Sequence, residues 1–437
     1  MLSALIFVST FLYTIFMAFR QGSVYIFVLY QAYYFFNPPT KWWSAYIPDL
    51  RYSFYIVLSL LLITLLKWSS LSENKISKIP QFRFMVFTAF LYFCAQFYAV
   101  FPDTHMIALD ALITVTILVL VVFKQVNTTK HLDIIMKGYV IFSGYMGYYI
   151  SQFGRVKNGR FEGAGMVDAP DANGIGAAIA PAIIIALYYF WSRPNILSRA
   201  LYGVVGIYLG NALVQLGSRG AFLGLVIGGG IFLVFLFFTK ARKKHQRKGV
   251  IALVVAAILG LIIVTDSAFW SRMSTIKTQD IESAQQKESG STRVYFWLAA
   301  IDMAKDHPFG GGASAFIYYA NQYIPSNVDT GKSRNRAVHS TWFEVLTEIG
   351  YLGLMSFVGM LYYSFITLKR SARCLSASNR PDELARVIAI GAGLLCFIVS
   401  MTFLNRFRAE ILYWFVLFTA VVYNLYVLKN SNEDLSK

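Results

Sequence analysis

Thirteen apolar runs, most about as long as the ~20 residues a helix needs to cross a bilayer, recur along this chain with only short polar breaks between them. They fall near 2–19, 22–37, 52–68, 84–101, 106–123, 133–152 and 174–191, then 199–216, 219–239, 249–265, 342–368, 387–404 and 409–428. The first two are short and flank Arg20, so they read as a tight hairpin or a partly re-entrant pair, and the expected count is twelve to thirteen spans. No run alternates apolar and polar residues as a membrane barrel strand must. The expected fold is therefore all-α and polytopic. Composition agrees, because only 14% of the 437 residues are charged and the mean hydropathy is +0.54. A soluble surface needs about 25% charged residues, so hydrocarbon must cover much of this one.

The formal charge of +17 is informative through its placement. Basic residues gather in the breaks at Lys75, Lys78 and Arg83, at Arg193 and Arg199, at 240–248, and at Lys369, Arg370, Arg373, Arg380 and Arg386. That bias marks those breaks as cytoplasmic. Alternation then puts 38–51, 102–105, 153–173, 217–218, 266–340 and 405–408 outside and the C-terminus inside. The patches are dispersed between spans, which argues against a nucleic-acid surface; the run at 240–248 is suited to anionic lipid. Cys94, Cys374 and Cys396 have neither disulfide nor metal spacing. The N-terminus lacks a basic leader and a small-residue cleavage site, so it reads as a retained span.

Some features are explained by packing alone. Gly220, Gly224 and Gly228, like Gly174, Ala178 and Ala182, form small-xxx-small ladders that let helices approach closely. Segment 38–51, with Pro38, Pro39, Trp42, Trp43 and Tyr46, reads as an interfacial anchor.

The segment 266–340 is too long for a connection, and loops of this length are functional or disordered. It divides the chain into N-terminal spans (1–265), a large outer loop (266–340) and C-terminal spans (341–437). Within it, Ser291-Thr292 predicts a cap, and Val294, Trp297/Leu298 and Ile301 predict one helical face, stopped by Pro308 and Gly310–Gly312. The stretch 276–290 is polar and poorly periodic, which predicts mobility.

Chemistry-bearing side chains cluster at the outer face. Arg219, in Leu216-Gly217-Ser218-Arg219-Gly220, stands at the hydrocarbon edge on the side where arginine is disfavoured. Its planar fork suits phosphate oxygens. Arg293 opposes the dipole of the loop helix, and a bound anion would resolve that conflict. His339 ends the loop, and Thr341 with Glu344 predicts a capping box directly after it. The positive end of that helix favours a neutral imidazole, the form a general base needs. Arg334 and Arg336 stand close by in sequence. His105 is expected in a short outer turn, and His307, before Pro308, in the turn ending the loop helix. Glu348 is expected to pair with Arg219 or with another span's cation. Asp171 and Asn173 are expected either to cap the following helix or to support the site. No metal-ligand spacing, Walker loop, dinucleotide fingerprint or Gly-x-Ser-x-Gly occurs.

The order of these pieces resembles the O-antigen ligase/Wzy-type polymerase superfamily of bacterial envelope glycosyltransferases. The matching stretches are Asp171-Ala172-Asn173, Ser218-Arg219-Gly220, Arg293 with Trp297, Asp306-His307-Pro308-Phe309-Gly310-Gly311-Gly312, and His339-Ser340-x-Trp342 with Glu348-x-Gly350-x-x-Gly353. Asn37-Pro38 also resembles the exosortase-associated O-glycosylation ligases, from whose Asp-Asn-Asn the present Asp-Ala-Asn departs. The resemblance implies a GT-C-like membrane fold in the bacterial inner membrane, with its active site facing the periplasm. It implies an undecaprenyl-diphosphate-linked glycan donor, a glycan, lipid or protein acceptor, and inverting transfer without a metal or other cofactor. In that frame Arg219 and Arg293 hold the diphosphate, His339 activates the acceptor hydroxyl, and Asp171, Asn173, Glu348 and Arg336 support them. The alternatives within the superfamily are a polysaccharide polymerase or a protein O-oligosaccharyltransferase. From other classes come a polysaccharide transporter or flippase and a non-enzymatic assembly scaffold. A transporter would show repeated halves and charges at the midplane, and neither is visible here.

Overall fold

The computed structural model describes residues 2–66, 74–153, 165–192, 195–239, 245–265, 270, 290–328, 330 and 333–429. Among them the chain is helical, without a strand. Among the described residues ten α-helices precede the long loop: α1 (Leu2–Gln21), α2 (Val24–Phe36), α3 (Tyr52–Leu66), α4 (Pro80–Ala95), α5 (Pro102–Gln125), α6 (Thr129–Phe153), α7 (Ala172–Ser192), α8 (Ile196–Leu216), α9 (Arg219–Phe238) and α10 (Gln246–Val264). The loop contributes α11 (Gly290–Asp306) and α12 (Ala315–Tyr323), followed by α13 (Thr341–Ala377), α14 (Pro381–Met401) and α15 (Glu410–Tyr423). Every predicted apolar run holds a helix. Among the described residues, nine helices are long and apolar enough to cross a membrane, namely α1, α5, α7–α10 and α13–α15. The protein is thus an all-α polytopic membrane protein.

Helix α15 occupies the centre. All of its residues are buried, which is why its sequence is apolar on every side. It packs on α5, α13 and α14; α14 lies against α7 and α9, and α13 against α4. The glycine ladder of α9 does what its spacing predicts. A Cβ at Gly224 would lie 2.3 Å from the carbonyl oxygen of Cys396, and one at Gly228 would lie 2.4 Å from that of Ala392. Only glycine lets α9 and α14 touch backbone to backbone. Polar residues inside the bundle bond across helices, as hydrocarbon requires. Gln81 donates to Thr367 and Thr419, and Asn74 donates to the carbonyls of Phe123 and Val126.

Four expectations need correction. The fourth run starts earlier than expected, at Pro80, because proline at the first helical position sets the start of α4. His105 lies in the first turn of α5 and is buried, not in an outer turn. The buried face of α11 is Phe296, Ala299/Ala300 and Met303, while Val294, Leu298 and Ile301 point outward. The helix is apolar around most of its girth, so spacing did not select the face; the small alanines did, by letting α11 pack closely on α12 and α13. The predicted capping box is absent, for reasons given below. The Ser291-Thr292 side chains, the stretch 276–289 and the basic residues at 240–244 lie outside the described residues.

Candidate functional site

Helix α13 is two helices joined at a break. Ile349 (φ −134°, ψ 18°) and Gly350 (φ 67°, ψ −165°) leave helical geometry and separate a short outer piece, 341–348, from the inner helix. The loop segment 308–314 plugs the break. Gly311 N–H donates to the Thr347 carbonyl and Gly312 N–H to that of Glu348, both at 2.9 Å, and Tyr351 N–H donates to the Pro308 carbonyl at 3.0 Å. Gly310 and Gly312 have φ of 78° and 81°, and a Cβ on Gly350 would stand 2.0 Å from the Pro308 oxygen. The Pro-Phe-Gly-Gly-Gly run and the Glu-Ile-Gly-Tyr-Leu-Gly run are therefore two halves of one joint. His105 fastens it from the other side: its Nδ1 accepts from Ala313 N–H at 2.9 Å, and its ring stacks on Tyr92.

The outer piece carries His339 at its start and is stitched to the turn between α14 and α15. Ser340 N–H donates to Asn405 Oδ1 (3.1 Å), the Thr341 hydroxyl to the Leu404 carbonyl (2.7 Å), and Trp342 Nε1 to Thr402 (3.0 Å). Thr341 and Glu344 are spent on this turn. Thr341 Oγ1 accepts from Arg406 N–H, and the Glu344 carboxylate accepts from Phe407 N–H and from Arg408 Nη2 at 3.2 Å. That is why no capping box forms. Glu348 accepts from Arg408, from Tyr92 OH (3.0 Å) and from Ser314 N–H (3.0 Å). Its cation is thus Arg408, not Arg219. Burial disfavours the Arg408 charge, but Glu348, then Tyr92 and Glu344, outweigh it and hold the guanidinium protonated.

The same turn receives the other predicted residues. Arg219 opens α9 and is half-buried; next to it, a Cβ on Gly220 would meet Phe403 at 3.6 Å. Arg293 Nη1 donates to the Phe403 carbonyl at 3.2 Å, and the Trp297 ring lies 6.3 Å from that of Phe403. Residues 402–405 are therefore the common neighbour of Arg293 and of the segments bearing Arg219 and His339. His339 sits in the left-handed region (φ 52°), uncommon for a residue other than glycine though entered by histidine more readily than by most. The adjacent Ser340 hydroxyl is buried and has no partner among the described residues.

The remaining predicted residues are structural in their visible bonds. Asp171 caps α7, its Oδ1 accepting from Gly174 N–H at 2.8 Å while Oδ2 lies 3.7 Å from Arg406. Asn173 is half-buried in the first turn of α7. Arg336 is turned into the loop, donating to the Thr330 carbonyl at 2.7 Å with its guanidinium 5.1 Å from the Phe296 ring centre. His307 lies against Tyr319 in the turn that ends α11, as expected.

Sequence reasoning overlooked Arg406, Arg408 and Glu410, and gave no role to Asp168, which opens the stretch before Asp171 and Asn173. Asp168 joins α2 to α15: its carboxylate accepts from Tyr34 OH (2.6 Å) and from Glu410 N–H (2.7 Å), and its carbonyl accepts from Arg406. A signal for the arginines existed. Both lie in a break assigned to the outside, so the argument that singled out Arg219 applies equally to them. The outcome is that the N-termini of α7, α9, α13 and α15 converge on the 402–410 turn. Gly174 lies under Arg406, Gly176 packs on Ser218, and Glu410 N–H binds Asp168. Helix N-termini present partial positive charge and N–H donors, and so favour anions.

No curated protein matches the chain. Residues 204–358, which hold Arg219, Arg293, Arg336, His339, Glu348 and both halves of the joint, match the family model described as O-antigen ligase, a match that supports the O-antigen ligase/Wzy superfamily.

Proposed function

We propose that this protein transfers a glycan from an undecaprenyl-diphosphate-linked donor to a hydroxyl acceptor at the periplasmic face of a bacterial inner membrane. The family match supports glycan transfer of the ligase and polymerase kind in general. The observation that carries the finer reading is the meeting of Arg293 with the segments bearing Arg219 and His339 at one turn, where four helix N-termini point. In this reading His339 takes the proton of the acceptor hydroxyl as its oxygen attacks C1 of the donor sugar. The C1–O bond to phosphate breaks on the opposite face, inverting C1, and the electron pair leaves on the diphosphate. Charge on that leaving group grows as the bond breaks, so Arg219, Arg293 and the helix ends stabilise the transition state more than the ground state. Proton removal by a positioned base contributes typically 10²–10⁴-fold. The two guanidinium groups take the part that a metal plays in other transferases. Asp171, Asn173, Glu348 and Arg336 support the site by holding the elements around it.

Purified protein given an undecaprenyl-diphosphate glycan, with lipid A-core, glycan and peptide acceptors in separate arms, tests this reading. Transfer to one acceptor class, lost in His339→Ala and Arg219→Ala, is the expected result. Undiminished transfer in both variants would sink the mechanism, and translocation of donor without transfer would establish a flippase instead.

A further inference from the structure

At the end of the bundle opposite His339, three arginines meet around three tyrosines. Arg386, in the second turn of α14, donates from Nε to Tyr188 OH at 3.1 Å and from Nη1 to Tyr426 OH at 3.2 Å. Arg380 lies over the Tyr426 ring, 5.4 Å from its centre, and Arg370 Nη1 reaches Tyr423 OH at 3.5 Å. Tyr426 belongs to a π-helical turn, Asn424–Leu428, a departure from α geometry found often at functional sites. The Cys374 thiol holds that turn in place by donating to the Tyr426 carbonyl.

Two balances are off in this cluster. Among the described residues these three guanidinium groups make one ion pair, Arg380 with Glu383 at 2.9 Å; Asp133, near Tyr189, is bound by Lys137 at 2.6 Å. Donors also exceed acceptors. A guanidinium carries five N–H donors and no acceptor, and a tyrosine hydroxyl that accepts from it still has its own proton to give. Among the described residues neither Tyr426 OH nor Tyr423 OH donates to any acceptor. An arginine serving only topology would extend its head into water. Arg386 is instead drawn half-buried between tyrosines from α7 and the end of α15.

We propose that Arg386, Arg380 and Arg370, with the hydroxyls of Tyr426 and Tyr423, form a phosphate-binding site that takes the headgroup of an anionic phospholipid in the leaflet at this end. Phosphate supplies the missing charge and the missing acceptors together, and arginine forks bind it in bidentate fashion. The cluster lies where α13 ends and α14 begins, both long and apolar enough to cross a membrane, which is the level at which a phospholipid headgroup meets such helices. This site is independent of the proposed glycan transfer.

Purified protein in a neutral detergent is titrated with phosphatidylglycerol, with phosphatidylcholine and with inorganic phosphate, and binding is read by native mass spectrometry and by the thermal midpoint. Wild type should retain phosphatidylglycerol and not phosphatidylcholine. Arg386→Gln should weaken retention about tenfold, the effect of losing a hydrogen bond to a charged group. Tyr426→Phe, which keeps the ring and its packing, should weaken it by roughly threefold and covers the case in which Arg386→Gln fails to fold. Competition by millimolar inorganic phosphate, lost in the same variants, would assign the site to a free phosphate as well. Equal retention of the two lipids by wild type, or retention of phosphatidylglycerol unchanged in both variants, overturns the proposal.

Discussion

Gly350→Ala tests whether the joint in α13 sets the position of His339. With φ at 67° and ψ at −165°, Gly350 occupies a region that side chains enter only at a cost of about 1–3 kcal/mol. The new methyl would lie 2.0 Å from the Pro308 oxygen and 2.6 Å from Phe309 Cα, both backbone atoms of the docked loop, and such overpacking adds about 1–3 kcal/mol. Undocking the loop instead forfeits the bonds from Gly311, Gly312 and Tyr351, each worth roughly 1 kcal/mol. Strain with overpacking predicts a loss of about 2–6 kcal/mol in the stability of the docked loop, and undocking one of about 3 kcal/mol. Because His339 begins the outer piece, a shift near 1 Å should lower turnover about a hundredfold. Gly210→Ala, at a glycine with open space around it, is the control. Hydrogen exchange at the amides of Gly311, Gly312 and Tyr351, measured beside turnover, gives the answer. Exchange and turnover equal to those of Gly210→Ala would refute the argument.

Other outcomes follow from the same geometry. Arg408→Met should destabilise the protein by about 3–5 kcal/mol, since it strands two buried carboxylates; pairing it with Glu348→Gln should recover part of that loss in a double-mutant cycle, and strictly additive losses would deny the coupling. Asp171→Ala should cost about 0.5–2 kcal/mol of thermal stability, as loss of a helix cap does, while donor KM stays within about twofold; a large rise in KM would make Asp171 a ligand of the substrate. Lys41 is buried between the Gly165 carbonyl (3.0 Å) and the Tyr149 ring, and burial lowers its ammonium from 10.5 to about 8. Between those values the unfolded chain holds a proton that the folded one lacks, so stability rises with pH across the window, by about 3 kcal/mol in full. Thermal unfolding from pH 7 to 10 should show that rise relative to Lys41→Met, and parallel curves would exclude it.

The bundle was legible because hydrocarbon imposes one requirement, an apolar helix of spanning length, and apolar runs report it directly. The glycine ladder of α9 was legible for a similar reason, since spacing by four fixes one helix face. Contacts between distant segments were not. Pro-Phe-Gly-Gly-Gly and Glu-Ile-Gly each look like ordinary turn chemistry, and only their meeting explains why positive φ is needed on both sides. The Thr341/Glu344 pattern reads as a local cap, yet tertiary partners at 404–408 outbid it, as they do whenever a side chain can reach a longer-range donor. The outer face of α11 misled for the opposite reason: alanines carry little hydropathy signal but permit the closest packing. Arg406 and Arg408 were hidden by proximity to an apolar span, although their side of the membrane made them as anomalous as Arg219.

The break at Ile349 and Gly350 also works as a mechanical isolator. A bilayer of different thickness changes the tilt of a long helix, and an unbroken α13 would carry that rotation straight to His339. Here the hydrogen-bond ladder is interrupted, and the outer piece takes its orientation from the 402–410 turn and the docked loop. The inner helix can therefore lean while the histidine keeps its bearing. Reconstitution in lipids of increasing chain length should leave turnover flat in wild type, and should make it thickness-dependent where the joint has been disrupted.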